Sequence, residues 1–203
     1  MPSSKITTRK NEPETVHLWG GTVCLDFANS VDWSADDAPL VESDVLRDVA
    51  DVRRWGRRLG IYGPRAPMID DAELEAIHAL RLAVHRSFAA YARAGDPEPS
   101  DLERVRSDYS RAVAAGRLAE RDGALRLEWP PGDPRRLRFA IATDAVALLG
   151  DPELLGRVKR CPGRGCGWLF LDRSGRRRWC SMQTCGSRTK MRRLYERRRT
   201  RKR

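Results

Sequence analysis

The sequence predicts a mainly α-helical protein of the α+β class, in which a multi-helical N-terminal domain with short β-hairpins precedes a small cysteine-rich module. Apolar residues recur at helical spacing through much of the chain, turn motifs separate short alternating segments, and four of the five cysteines lie after residue 160. A length of 203 residues with 40% hydrophobic content suits one moderate domain and one small one. We therefore assign residues 1–15 to a flexible arm, 16–156 to the helical domain and 157–203 to the cysteine-rich module.

The first apolar segment follows a pair of glycines near residue 20. Val23, Leu25 and Phe27 alternate with other residues, which predicts two short strand segments joined at the glycines. Asp26 and Asn29 lie at the end of this segment. They are candidates for a ligand site in the N-terminal domain, and the alternative is that they satisfy backbone groups at the end of the strand.

Four helices are predicted in the rest of the N-terminal domain. Each has a capping residue at its start and apolar residues at intervals of three or four. They begin at Ser43, at Asp70 with Glu73 as a capping box, at Ser100 with Glu103 as a second box, and at 133–134, this last one ending near Gly150. Between the third and fourth helices, Asp122-Gly123 flanked by alternating residues predicts a β-hairpin.

Two histidines fall seven residues apart on the second predicted helix. His78 and His85 could reach one site, but two histidines without a third ligand are more typical of an ordinary helix face.

The cysteine-rich module contains two pairs with equal spacing. Cys161-x4-Cys166 and Cys180-x4-Cys185 can place four thiolates around one tetrahedral Zn²⁺, each pair held by a tight turn. A segment of about 40 residues buries too little apolar surface to fold alone, so zinc would supply folding energy. An iron–sulfur cluster and a disulfide or redox pair are the alternatives. Four cysteine ligands indicate one structural zinc rather than an open catalytic site.

The remainder of the module predicts a zinc finger made of a β-hairpin and a basic C-terminal helix. Segments 168–171 and 176–179 would pair across a polar turn and shield the metal with their large side chains. After Cys185, the spacing of Met191, Leu194 and Tyr195 predicts one helical stripe that docks on this hairpin.

Charge changes sign at the start of the module. Residues 157–203 contain 18 Lys and Arg against 2 Asp and Glu, a net of +16, whereas residues 1–156 have a net of −5. A solvated basic tail is the usual interpretation of an arginine run, but the change of sign at the metal module favours nucleic acid. The candidate contacts are Arg176, Arg177, Arg178, Arg188, Lys190, Arg192, Arg193, Arg197, Arg198 and Arg199.

The motif Cys161-x4-Cys166-Gly-Trp-x-Phe-x-Asp-x-Ser, followed by Arg-Trp-Cys180-Ser-Met-x-x-Cys185-Gly-Ser187-Arg, resembles the CGNR zinc-finger family. The resemblance covers nearly all of the module. It departs at the name-giving Cys-Gly-Asn-Arg, where Ser187 replaces the family's asparagine. Members have an N-terminal domain called ABATE, whose opening motif resembles residues 25–29 here. The resemblance implies a zinc-binding transcription regulator of the stress response.

We therefore expect a bacterial-type DNA-binding protein, cytoplasmic and associated with the nucleoid, whose zinc finger contacts duplex DNA. The N-terminal domain would sense an effector of unknown identity, form a homodimer or recruit another protein. A module of this size makes few base contacts, so selectivity would need a dimer or a second protein. The alternative is an RNA- or ribosome-associated zinc protein, because a basic metal knuckle with exposed aromatic residues can also stack on unpaired bases.

Other function classes find little support in the sequence. An enzyme in residues 16–156 is a third hypothesis, but the chain has no Gly-x-Ser-x-Gly, no His-Glu-x-x-His and no glycine-rich phosphate loop after a strand, so we predict no enzyme activity. No apolar run approaches the roughly 18 residues of a membrane span, so a membrane partner is not expected. The first residues lack the apolar core of a secretory signal.

Overall fold

The computed structural model describes residues 12–34 and 36–200. Most of the predicted N-terminal arm therefore lies outside the described residues. Within them, the fold class is as predicted: mainly helical, with short antiparallel strand pairs and a C-terminal four-cysteine cluster. The helices are α1 (Val23–Ala28), α2 (Val49–Arg58), α3 (Asp71–Ala92), α4 (Pro99–Ala115), α5 (Arg136–Leu149), α6 (Pro152–Leu155) and α7 (Ser187–Thr200). No helix in the described ranges is long and apolar enough to cross a membrane.

Three two-stranded antiparallel sheets complete the described part of the fold. They are β1 (Asp32–Trp33) with β2 (Pro39–Leu40), β3 (Arg117–Arg121) with β4 (Ala124–Glu128), and β5 (Val158–Arg160) with β6 (Leu169–Leu171). The β3–β4 hairpin confirms the predicted turn, because Asp122 and Gly123 both adopt positive φ, as a two-residue hairpin turn of this kind requires.

Helix α3 lies at the centre of the core and packs against α1, α4 and α5. It starts as predicted, since the Asp70 side chain accepts a hydrogen bond from the Glu73 backbone N–H at 2.8 Å. The Glu73 carboxylate does not close the capping box. It accepts instead from Arg138 of α5, at 2.9 and 2.6 Å. The buried apolar face of α3 includes Ile77, Leu80, Val84 and Phe88.

Two arginines are buried among these helices, and each is neutralised by carboxylates. Arg138 contacts Glu73 and Asp108. Burial of the guanidinium lowers its pKa, but the hydrogen bonds and negative charges of Glu73 and Asp108 together outweigh burial, so the pKa of Arg138 is raised. Arg81 of α3 contacts Asp44. Paired and hydrogen-bonded charges of this kind are the form in which ionic groups tolerate burial.

The strand prediction for the first apolar segment was wrong, because residues 23–28 form helix α1. Cys24 and Ala28 are as buried as Leu25 and Phe27, so the segment is apolar on several sides and its alternation did not distinguish a strand from a buried helix. The start of α1 is held by Asp144, whose carboxylate accepts from the Cys24 backbone N–H at 2.7 Å.

Three predicted helix starts were also wrong. Helix α2 begins at Val49 and is capped by Asp48, not Ser43. The Ser43 hydroxyl accepts from the Asp32 N–H and donates to the Leu40 carbonyl, so it supports the β1–β2 hairpin. Helix α4 begins at Pro99, one position before Ser100, because proline is well suited to the first turn. Helix α5 begins at Arg136, after the predicted start at 133–134, and Gly150 is its C-cap, so its end near Gly150 is as predicted.

The strand partner predicted within the cysteine-rich module was wrong as well. Strand β6 pairs with β5, which precedes the first cysteine, whereas residues 176–178 have no regular structure. Val158, Leu169 and Leu171 are buried in the main core with the helices. The base of the module is therefore packed into the N-terminal half of the chain.

Candidate metal centre and nucleic-acid interface

The first cysteine pair lies in the turn between β5 and β6. The Cys161 N–H donates to the Trp168 carbonyl at 2.8 Å, and the Cys166 N–H donates to the Gly163 carbonyl at 2.9 Å, which closes the knuckle. Gly163 is required by close approach, since a Cβ at this position would lie 2.8 Å from Cys185 Sγ. The tight turn thus directs both thiols toward the second pair.

The second pair joins an irregular segment to a helical turn. Cys180 follows residues 176–179, and Cys185 lies in a single π-helical turn, Met182–Gly186, that runs directly into α7. A Cβ at Gly186 would meet Met182 Sδ at 2.7 Å, so a side chain there would displace the exposed end of Met182. Ligand geometry and the start of α7 are therefore set by the same turn.

The four thiols fit one tetrahedral metal. Their Sγ atoms all lie within 4.8 Å of one another, and Cys166 Sγ is 3.8 Å from Cys180 Sγ. With Zn–S bonds of about 2.3 Å, a regular tetrahedron requires sulfur atoms about 3.8 Å apart. All four cysteines are free of disulfides. Within the cluster, hydrogen bonds from the Cys166 and Cys180 thiols hold the pKa of Cys161 well below its ordinary value, and metal binding requires thiolates.

Phe170 closes the inner side of the cluster. It is fully buried and packs with Cys161, Cys180 and Cys185. The Arg177 guanidinium lies 4.5 Å from the centre of the Phe170 ring, while its N–H groups donate to the carbonyls of Trp19, Trp179 and Cys180. An apolar residue capped by arginine keeps water from the inner side of the thiolates.

The metal centre is fixed to the N-terminal half by hydrogen bonds as well as by packing. The Asn29 side chain accepts from the Leu169 N–H at 2.9 Å and donates to the Leu169 carbonyl at 2.7 Å, so it pairs with β6 as a neighbouring strand would. The Trp168 indole donates to Asp32 at 2.7 Å. Asp26 accepts from the Gly20 N–H at 2.7 Å. Both Asp26 and Asn29, our candidates for a ligand site, thus bind backbone groups.

The two histidines do not share a site. His78 Nε2 lies 2.7 Å from the Leu46 carbonyl, whereas His85 is stacked on Trp33 with ring centres 3.6 Å apart. His85 Nε2 donates to the Gly167 carbonyl beside the knuckle, and burial lowers the pKa of His85 to about 4. In the described residues, the four cysteines are the one cluster suited to a metal.

Helix α7 leaves the metal centre and enters solvent. Thr189 in its first turn is buried, and every residue from 190 to 199 is exposed. The predicted docking of Met191, Leu194 and Tyr195 on the hairpin was wrong, since these side chains are 63%, 42% and 65% exposed. The stripe exists, but it faces away from the protein.

Family comparisons agree with this geometry. Residues 21–152 match the ABATE model, described as "Putative stress-induced transcription regulator". The chain belongs to the ABATE family. Residues 157–198 match the CGNR zinc finger, which identifies the four-cysteine cluster as its zinc site. No curated protein matches the chain significantly.

The basic side chains of this ABATE protein have different environments. Arg177 is half-buried and bonded to carbonyls, whereas Arg176 and Arg178 are exposed. On α7, Arg192 lies 3.7 Å from Glu196, the one acidic residue of the helix. The remaining basic residues of α7 have no carboxylate partner in the described part of the chain: Arg188, Lys190, Arg193, Arg197, Arg198 and Arg199.

Sequence reasoning did not select three basic residues that lie beside the metal. Arg164 is exposed within the first knuckle and lines a notch of about 190 Å³ with Arg188 and Arg192. Lys159 and Arg160 of β5 line a larger groove on another side of α7. Their position directly before Cys161 was the available indication, because residues adjacent to a knuckle share its surface.

Proposed function

We propose that this ABATE protein is a duplex-DNA-binding transcription regulator in which the zinc site holds α7 as the DNA-contacting element. The supporting observation is that α7 is exposed over residues 190–199 and has seven basic residues against one acidic residue. The zinc-linked turn fixes its start, so the charge is presented in a defined direction rather than on a free tail.

The helix needs an anionic partner. Like charges three or four residues apart destabilise a helix, and Arg188–Arg192 and Arg193–Arg197 are such pairs. DNA phosphates would neutralise these guanidinium groups and release counterions, which favours binding at low salt. An exposed helix of this diameter also fits the major groove of B-DNA.

One side of α7 is suited to the groove. At about 100° per residue, Met191, Leu194 and Arg198 lie opposite the buried Thr189 and therefore face outward. We propose that this outer face meets base edges, where apolar side chains contact thymine methyl groups and arginine reads guanine. The flanking residues would contact phosphates on the two strands: Arg188 and Arg199 on one side, and Lys190 and Arg197 on the other.

A double substitution tests the proposal. Replacing Arg188 and Arg199 with glutamine removes two phosphate contacts, so duplex affinity should fall about thirtyfold if each contact contributes about 1 kcal/mol. The plot of log affinity against log salt should become shallower by about 2. The matched control is Arg65→Gln with Arg86→Gln, two exposed arginines of the N-terminal half. Equal losses in both proteins would overturn the assignment of α7 as the interface.

Competition in the same assay distinguishes an RNA-binding function from a duplex-DNA-binding function. A structured RNA of equal length and concentration should displace the duplex poorly if the α7 outer face enters a B-form major groove, because the A-form major groove is too narrow for a helix. Efficient displacement would replace the DNA proposal by the RNA alternative.

A further inference from the structure

A basic groove lies between α7 and the body of the protein. Its volume is about 550 Å³, within the range of small-molecule sites. Its walls come from separate segments: the end of α3, β5, the residues before Cys180 and the first turns of α7. Among the described residues, its lining includes six basic side chains and no acidic one: Lys159, Arg160, Arg177, Arg178, Arg192 and Arg193.

The proposed DNA contact does not account for this groove. Thr189, Arg192 and Arg193 share one side of α7, and the burial of Thr189 shows that this side faces the protein. Met191, Leu194 and Arg198 lie on the opposite side. A duplex seated on the outer side cannot reach the groove at the same time.

The groove contains positive charge that the described residues do not neutralise. Lys159 is paired with Asp172 at 2.6 Å, and Arg160 contacts Asp37 at 3.2 Å. Arg178 and Arg193 have no carboxylate partner in the described ranges, and both are exposed to the groove. Their forked guanidinium groups suit phosphate oxygens.

An aromatic wall accompanies the charge. The half-buried Trp179 lines the groove, and Phe170 lies at its base under Arg177. A planar base can stack on an indole or on a guanidinium plane while its phosphates contact the arginines.

We propose that the basic groove binds a nucleoside polyphosphate. The ligand's phosphates contact Arg178, Arg192 and Arg193, and its base lies against Trp179. The groove adjoins both family regions, because Arg160 on its wall bonds to the Ser34 carbonyl and to Asp37 of the N-terminal half. This proposal does not depend on DNA binding.

Isothermal titration calorimetry of the zinc-loaded full chain, without DNA or magnesium, tests the proposal. We expect adenosine triphosphate to bind at one site per chain, inorganic pyrophosphate to bind at least tenfold more weakly, and adenosine not to bind detectably. Absence of saturable binding by adenosine triphosphate would overturn the proposal. Equal affinities for adenosine triphosphate and pyrophosphate would overturn the assignment to nucleotides.

Two arginine variants distinguish binding of adenosine triphosphate in the groove from attraction to the overall positive charge. Arg178→Gln should weaken adenosine triphosphate binding at least tenfold, and it should fold normally because Arg178 is exposed and has no partner among the described residues. Arg198→Gln removes the same charge from the outer side of α7 and should change that affinity less than twofold. Equal losses of adenosine triphosphate affinity in the two variants would show that the nucleotide is attracted by overall positive charge and not held in the groove, which would overturn the proposal. If Arg178→Gln weakens duplex binding while adenosine triphosphate fails to bind, the groove holds DNA phosphate and the proposal is wrong.

Discussion

Arginine is buried and paired among helices α3–α5, but it is exposed and mostly unpaired on the described part of helix α7. Between α3 and α5, Arg138 is buried and bonded to Glu73 and Asp108, so its charge is cancelled where it lies. On α7, arginines such as Arg198 are exposed and have no carboxylate partner in the described part of the chain. An arginine with a carboxylate partner therefore has a different role from one without. The unpaired charges define the surface where a partner is expected, and the paired ones hold the fold.

The largest effect should come from the zinc site that joins these two regions. Cys161→Ser removes one of four thiolates, and structural zinc binding supplies about 10–16 kcal/mol of apparent free energy in isolated zinc-finger peptides. We expect the bound zinc to be lost and the amides of residues 161–166 and 180–199 to lose protection in hydrogen exchange, whereas the amides of α3, α5 and the core-packed strand β6 stay protected. Unchanged protection in α7 would show that its helix forms without the metal.

A smaller effect on the free energy of unfolding is expected when the buried Arg138 is replaced, and almost none when the exposed Arg198 is replaced. Arg138→Met leaves the buried Glu73 carboxylate without its arginine partner and removes one of the three arginines that contact Asp108, so the free energy of unfolding should fall by about 3–5 kcal/mol. Arg198→Met should change it by less than about 0.5 kcal/mol, because that side chain is exposed. Urea unfolding of the two zinc-loaded variants measures both values. Similar losses in the two variants would contradict the distinction between structural and functional arginines.

The smallest expected effect depends on pH and concerns Asp26. Burial raises the pKa of Asp26 from 3.8 to about 6. Because the folded state binds the proton more tightly than the unfolded state, this carboxyl group lowers stability as pH rises from about 4 to about 6. Asp26→Asn keeps an oxygen for the Gly20 N–H and removes the ionisation. The variant should be about 2 kcal/mol more stable than the wild type at pH 7.5.

The measurement is urea unfolding of both proteins between pH 5 and 7.5. The advantage of Asp26→Asn should diminish as the pH falls below 6, since wild-type Asp26 then gains its proton. A constant difference between the two proteins would mean that Asp26 stays ionised in the folded state throughout this range.

Local chemistry made part of this molecule predictable from sequence. Equal cysteine spacing indicated the metal site, because four thiolates at short intervals have few other uses. Asp70 marked the start of α3, and Asp122-Gly123 marked a hairpin, since capping and positive φ are properties of a few adjacent residues. The sign change in charge near residue 157 likewise needed no tertiary information.

The features that sequence did not predict depend on distant contacts. The partner of β6 is β5 because Leu169 and Leu171 are drawn into the helical core, and local pattern does not encode this packing. Asn29 binds a strand 140 positions away. The apolar stripe on α7 had the spacing of a core face, yet no part of the described chain covers it. Periodicity in the sequence identifies an apolar helix face, but it does not show which part of the protein, if any, packs against that face.

A salt titration of duplex-DNA affinity, with the chain zinc-loaded and again after chelation, tests whether the zinc site holds α7 as the DNA-contacting element. The four phosphate contacts proposed for α7 predict a log–log slope of about −4 for the zinc-loaded protein. Chelation should reduce both the affinity and the slope, because the helix loses its fixed start. Identical affinity and slope with and without zinc would show that the zinc site does not position α7 and that the arginines act as an unstructured polycation.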